Sequence, residues 1–166
     1  MSIAPEFRPL AAGDLKAVAA LARIVWQATY PGIISQEQID TMLAARYCDT
    51  ALREYFGASD RWFDVAVVEG SIAGFCACEI YKGEYKLDKI YVDPTQQRSG
   101  LGGSLIARAE ARGRELGRDT LILAVNKKNA KAIAAYHKHG FTVRESVCIN
   151  LGNGFFMDDY IMQKQL

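Results

Sequence analysis

The apolar positions change period along the chain, and each change marks an element. From Asp14 to about Ala28, Leu15, Val18, Ala19, Ala22, Val25 and Trp26 recur at helical spacing. TYPG, Thr29 to Gly32, breaks that helix. Ser35-Gln36-Glu37-Gln38 has the form of a capping box, in which Ser35 takes an orphan amide and Gln38 reaches back. It opens a second helix carrying Ile39, Met42 and Leu43, and a shorter piece follows Asp49 through Leu52 to Phe56. Ahead of these, EFRPL reads as a short strand, with Pro9 placing it at a sheet edge.

The period then falls to two. RWFDVAVVEG, SIAGFCACEIY and YKLDKIYV read as three antiparallel strands of a meander, the first turn at Glu69-Gly70-Ser71. Leu105, Ile106, Ala109 and Leu116 mark a helix that stops at Gly117. DTLILAV is short and nearly all apolar, which suits a strand buried on both faces. NAKAIAAYHKHG is a helix ending at Gly140, and FTVRESVCINL and GFFMDDYIMQKQL close as two strands. Tyr85 to Val125 is strand, helix, strand, which predicts a parallel pair with a right-handed crossover. The fold class is a mixed α/β sheet, in one domain spanning residues 1–166.

Composition narrows the function classes. Net charge is +1, so nothing global points to nucleic acid or to a membrane surface. No run approaches the length of a membrane span, and MSIAPEFRPLAAGDLK lacks the apolar core of a signal peptide. A cytoplasmic location is expected. The cysteines, Cys48, Cys76, Cys78 and Cys148, form no CxxC pair and read as reduced thiols. His137 and His139 lack a metal-binding context, so no metal is expected.

The chemistry concentrates in VDPTQQRSGLGGSLI, Val92 to Ile106. The first amides of a helix have no internal partner and sit at the positive end of its dipole. Glycines there let a bulky anion reach the backbone, and phosphate is the usual guest. The segment is no triphosphate loop, which needs GxxxxGK followed by Ser or Thr. It also misses the dinucleotide GxGxxG pattern, because Leu105 stands where the third glycine belongs.

Gln97-Arg98-Ser99-Gly100-Leu101-Gly102 fits Q/R-x-x-G-x-G/A after a strand ending in V-D-P. Asn129-Ala130, Tyr136 and Gly140-Phe141 follow the next strand. In these motifs the chain resembles the GNAT superfamily of N-acetyltransferases, most tightly from about Asp64 to Phe141. The resemblance implies a mostly antiparallel central sheet of about seven strands flanked by four to five helices, and acetyl-coenzyme A as co-substrate. It implies that the diphosphate rests on the amides of Arg98, Ser99, Gly100, Leu101, Gly102, Gly103 and Ser104, beside Gln97. The pantetheine arm would pair with the backbone of Ile90, Tyr91 and Val92. Asn129 would contact the cofactor, and Tyr136 would protonate the leaving thiolate.

The chemistry such a transfer needs leaves further roles to fill. A backbone amide near Val92 is expected to meet the carbonyl oxygen. For the base, Glu79 lies in an alternating row with Ala73, Phe75, Ala77 and Tyr81, Asp88 shares a face with Ile90 and Val92, and a water chain is a third choice. The resemblance implies that the region of Trp26, Tyr30 and Pro31 helps wall the acceptor site; Tyr81, Glu84, Tyr85 and the Asp158-Asp159 pair are further candidates to face it, since aromatics with carboxylates suit a cationic amine. The lysines at 127, 128 and 131 crowd a helix start, a solvated face or a site for the 3′-phosphate. The acceptor is a small amine, a polyamine or a peptide amine, and the protein a monomer or homodimer. A catalytically silent acyl-coenzyme A sensor of the same fold is the competing reading.

Overall fold

The computed structural model describes residues 3–166. Seven strands form a single sheet in the order β1-β2-β3-β4-β5-β7-β6. They are β1 (Glu6–Pro9), β2 (Arg61–Val68), β3 (Ser71–Tyr81), β4 (Glu84–Val92), β5 (Thr120–Asn126), β6 (Thr142–Gly152) and β7 (Phe155–Gln165). The helices are α1 (Leu15–Thr29), α2 (Gln36–Tyr47), α3 (Asp49–Arg53), α4 (Leu101–Glu115) and α5 (Ala130–Lys138). All neighbouring strands pair antiparallel except β4 and β5. That parallel pair is the expected crossover through α4, and Pro9 lies on an edge strand as expected.

Two cores cover the two faces of the sheet. On one, Val18, Ala22, Val25 and Trp26 of α1 and Ile39, Leu43 and Tyr47 of α2 pack against Phe63, Val65, Phe75 and Ala77. On the other, Leu101, Leu105, Ile106 and Ala109 of α4 pack against Cys76, Cys78, Tyr85, Leu87, Leu121 and Leu123. β5 contributes to the middle of the sheet and is buried along most of its length, which accounts for its apolar run. Cys76 and Cys78 are both buried on the α4 face as free thiols.

Local chemistry sets the turns. Glu69 and Gly70 have φ of 49° and 80°, and Lys82 and Gly83 have 50° and 80°. Both pairs close two-residue hairpins of the kind whose twist matches the flanking strands. Ser35 accepts a 3.1 Å hydrogen bond from the Gln38 amide, so that half of the capping box forms. The other half does not. The Gln38 side chain is buried and donates instead to the Phe156 carbonyl, 2.9 Å away on β7.

Two bulges overturn expected strand faces. In β3, Ala66 pairs with Gly74 and Val67 with Ile72, which leaves Ala73 as an extra residue. Ala73 therefore joins the α4 core, and the expected row from Ala73 to Tyr81 is broken at its first member. In β4, Ala77 pairs with Lys89 and Cys78 with Leu87, so Asp88 is the extra residue. This shift brings Ile90 and Val92 to the α4 face with Tyr85 and Leu87. Asp88 turns to the α2 face, where Arg46 holds it at 3.1 Å, so it does not share a face with Ile90 and Val92.

Candidate active site

The parallel pairing of β4 with β5 is brief. Lys86 pairs with Ile122 and Leu87 with Leu123, yet β4 continues to Val92 and β5 to Asn126. Beyond Leu87 the two strands part, and a gap opens through the sheet. Main-chain groups of a strand alternate sides. The Asp93 amide donates to Ala73 at 2.8 Å, toward β3. Counting back along β4, Tyr91 faces β3 in the same sense, and the peptide groups of Val92 and Ile90 face the gap. An extended ligand there finds donors and acceptors at strand spacing.

The glycine segment lies at the mouth of this gap. Gly100 is the N-cap of α4 with φ of +86°, a left-handed conformation that glycine takes at no steric cost. Arg98, with φ of +69°, adopts the same region just before it. No side chain caps the helix. Among the described residues, the amides of Arg98 through Gly103 have no partner outside regular helix bonding. Ser104 differs from expectation: its amide is already paired with the Gly100 carbonyl at 3.1 Å. The amides left without such partners are thus those of residues 98–103. A Cβ on Gly102 would meet only Val92, at 3.9 Å, so the fold leaves room for a side chain at this position.

α5 closes the other side of the mouth. Asn129 is its N-cap, accepting from the Ala132 amide at 3.3 Å through the side-chain oxygen. Its side-chain NH2 makes no hydrogen bond among the described residues. Lys131 reaches over to Gln97, 2.7 Å away, and joins α5 to the glycine segment. Lys127 turns away and pairs with Asp158 at 2.7 Å, so the three lysines do not act as one cluster. Tyr136 lies further along α5, ring to ring with Phe141 at 5.8 Å. Its hydroxyl makes no side-chain hydrogen bond among the described residues. Burial pushes its pKa well up, and nearby Tyr30 adds to the effect. The phenol keeps its proton across the physiological range.

Tyr30 comes from the opposite face, at the end of α1. It stacks at 4.7 Å on Trp26, which in turn lies 6.3 Å from Tyr91 and 6.4 Å from Tyr47. Trp26 is only 2% exposed, so it backs the aromatic wall while Tyr30 forms its accessible part. Tyr81 is not brought to this cluster. It stands at the β3–β4 hairpin, with Lys82 and Lys86 over its ring at 5.3 and 4.7 Å. Glu84, expected at the acceptor site, pairs with Arg144, and Tyr85 is buried beneath α4 with its hydroxyl on the Ala109 carbonyl.

The carboxylates divide by environment. Asp88 is ringed by Arg46, Lys89 and Lys86, at 3.1, 2.6 and 3.7 Å. Although burial opposes its ionisation, these cations hold its pKa far below the usual range, so it is a poor proton acceptor. Glu79 has its pKa raised by burial and by Asp88. It sits on β3 opposite Lys86. Asp159 is 2% exposed, with its pKa raised by burial despite Lys86 nearby. A cleft of about 380 Å³ is lined by Ile34, Gln38, Asn126, Lys128, Phe156 and Asp158 among others; Asp159 lies behind this lining, paired in register with Asn126.

The parting of the parallel strands β4 and β5, the glycine segment that opens α4 and Tyr136 on α5 make a recognisable combination. The acetyltransferase (GNAT) family model matches residues 20–141. The chain belongs to this family. Like its fellow GNAT members, it is an acetyltransferase. It is 27% identical to a spermidine N(1)-acetyltransferase of Thermoplasma acidophilum, over 96% of each chain. It is 39% identical to the [ribosomal protein bS18]-alanine N-acetyltransferase of Escherichia coli, over 43% of this chain and 49% of that one. Among solved structures, the PaiA N-acetyltransferase of T. acidophilum in complex with coenzyme A superposes with a TM-score of 0.86. It covers 99% of this chain and 100% of its own at 27% identity. The seven-stranded GNAT sheet expected from the resemblance is the one observed. No described helix is long and apolar enough to cross a membrane, and no described cluster of His, Cys, Asp and Glu is suited to a metal.

Proposed function

We propose that this protein transfers an acetyl group from acetyl-coenzyme A directly to an amine in a ternary complex. The acceptor is a primary amine, a polyamine or a peptide amine. The carrying observation is the alignment of two sets of unpaired main-chain groups. Residues 98–103 offer amides to a diphosphate, and Ile90 and Val92 offer a strand edge to the arm that follows it. Gly102 adds support: the fold itself leaves room for a side chain there, so a glycine suits a bulky anion that must reach the backbone.

The arm passes Val92 first and runs toward the closed end of the gap. Val92 therefore pairs with the pantetheine, and the carbonyl oxygen falls near the Val92 or the deeper Ile90 amide as charge develops on it. A preformed donor at that point is worth about 2.7–4 kcal/mol. Tyr136 donates its proton to the departing thiolate. The thioester is already activated, so positioning supplies much of the remaining rate. The amine must arrive neutral, and an alkylamine of pKa about 10.4 is neutral in only about one molecule in 2,500 near pH 7. Glu79 is level with Lys86, where β4 and β5 are still paired, so it stands short of the opening of the gap.

The relatives support both acceptor types, one being named for spermidine and another for a ribosomal protein alanine. The cleft of about 380 Å³ beside Asn126 and Phe156 is where we place the acceptor. Turnover of labelled acetyl-coenzyme A against spermidine, small amines and alanine-starting peptides tests the reading. Acetylated product with thiol release supports it. Tight coenzyme A binding without turnover on any acceptor would instead favour the sensor reading.

A further inference from the structure

Four buried side-chain polar atoms lack a partner among the described residues, and three of them belong to Trp26, Tyr47 and Asp159. Trp26 and Tyr47 lie side by side, 6.4 Å between ring centroids, where the indole N–H can serve the Tyr47 hydroxyl, so Asp159 is the one of the three that something else must satisfy. Trp26 and Asp159 share neighbours. Tyr30 stacks on Trp26 and is close enough to Asp159 for its ionisation to be opposed. Arg46 lies 6.0 Å over the Trp26 ring and also acts on Asp159. Asp159 pairs in register with Asn126, a lining residue of the cleft, and its neighbour Asp158 lines the cleft as well.

We propose that Asp159 is the carboxylate that receives the acceptor ammonium and takes its proton, a role resting on the acetyltransferase reading above. Its free Oδ1 is the acceptor atom. The charged and titratable groups around it are Lys86 from β4, Arg46 from α2, Tyr30 from the end of α1, and Asp158 and Lys127 at the cleft rim. Arg46 is committed to Asp88, and Lys127 to Asp158. Lys86 is shared between Asp88 at 3.7 Å and the Tyr81 ring. None of them makes a hydrogen bond to Asp159, which leaves the carboxylate for the substrate.

The protons balance. Asp159 removes one from the ammonium, and the nitrogen lone pair forms the C–N bond as the C–S bond breaks. Tyr136 protonates the thiolate and recovers a proton from the new amide nitrogen. Asp159 returns its proton to solvent, so one proton is released per turnover.

The test compares wild type, Asp159→Asn and Glu79→Gln. Asp159→Asn is expected to lower kcat about 10²-fold toward spermidine or an alanine-starting peptide and to abolish the acidic limb of the pH–rate curve. Coenzyme A affinity stays unchanged, and Glu79→Gln keeps the limb. A second measurement follows the Asp159 carboxyl by 13C NMR in the coenzyme A complex, titrated with and without methylamine. A bound ammonium ion should draw its pKa down. An acidic limb that survives in Asp159→Asn, or a carboxyl indifferent to methylamine, overturns the assignment. If wild type acetylates no amine at all, the acetyltransferase reading fails, and the methylamine titration still decides the role of Asp159.

Discussion

The side-chain amide of Gln38 donates a 2.9 Å hydrogen bond to the Phe156 carbonyl. It ties the first turn of α2 to the β6–β7 hairpin, and both residues line the 380 Å³ cleft proposed above for the acceptor. Replacing Gln38 by Ala leaves that carbonyl without its partner. We expect a stability loss of about 1–3 kcal/mol, read by denaturant unfolding. The KM for the amine should rise while the KM for acetyl-coenzyme A holds. Equal rises in both would show that the contact does not shape the acceptor side.

Gly102 separates binding from folding. A Cβ there meets nothing nearer than Val92 at 3.9 Å, and alanine is the better helix former by about 1 kcal/mol. Gly102→Ala should therefore be at least as stable as wild type. Its coenzyme A affinity should fall about tenfold or more, about 1.4 kcal/mol, by calorimetry. Gly100→Ala should differ by losing stability, because its φ of +86° strains any residue with a Cβ.

Tyr136→Phe removes a hydroxyl that makes no side-chain hydrogen bond in the fold, so stability should change little. Turnover should drop by about 10²-fold if thiolate protonation limits the rate. Since burial raises the phenol pKa, wild-type activity should show no loss from Tyr136 ionisation near neutral pH. Single-turnover kinetics distinguishes a slowed chemical step from slowed release.

Asp88 gives a stability effect with a definite pH sign. Burial raises its pKa, but Arg46, then Lys89 and Lys86, outweigh that and leave it depressed in the folded state. Its contribution is therefore full above the unfolded carboxylate pKa, about 3.9, and is lost as pH falls below that value. Asp88→Asn should cost about 3–5 kcal/mol at pH 7 by leaving buried cations unpaired. The gap between variant and wild type should close in acid. A pH-independent difference in urea midpoints would contradict this.

The sequence is most readable where one residue type has one local use. Ser35 could be named as a cap because a hydroxyl before a helix has few other tasks, whereas the left-handed backbone of Gly100 shows only in the fold. The bulges at Ala73 and Asp88 were hidden, because register belongs to two strands together and neither strand alone shows the extra residue. Their effect is large: Asp88 changes face, and with it changes from a possible base to an ion-pair anchor. Gln38 was read as local, yet its partner is on the last strand. Asp159 stood next to Asp158 in sequence with no sign of which would be buried. Only the pairing of β7 with β5 distinguishes them, burying one and leaving the other at the cleft rim.

The most direct measurement is a 15N amide titration of the protein with coenzyme A. The largest shifts should fall on Arg98 through Gly103, with Ile90 and Val92 following and Ser104 moving less because its amide is already paired. Saturation of binding with those amides unmoved would contradict the central claim that they hold the diphosphate and aim the acyl group into the gap between β4 and β5.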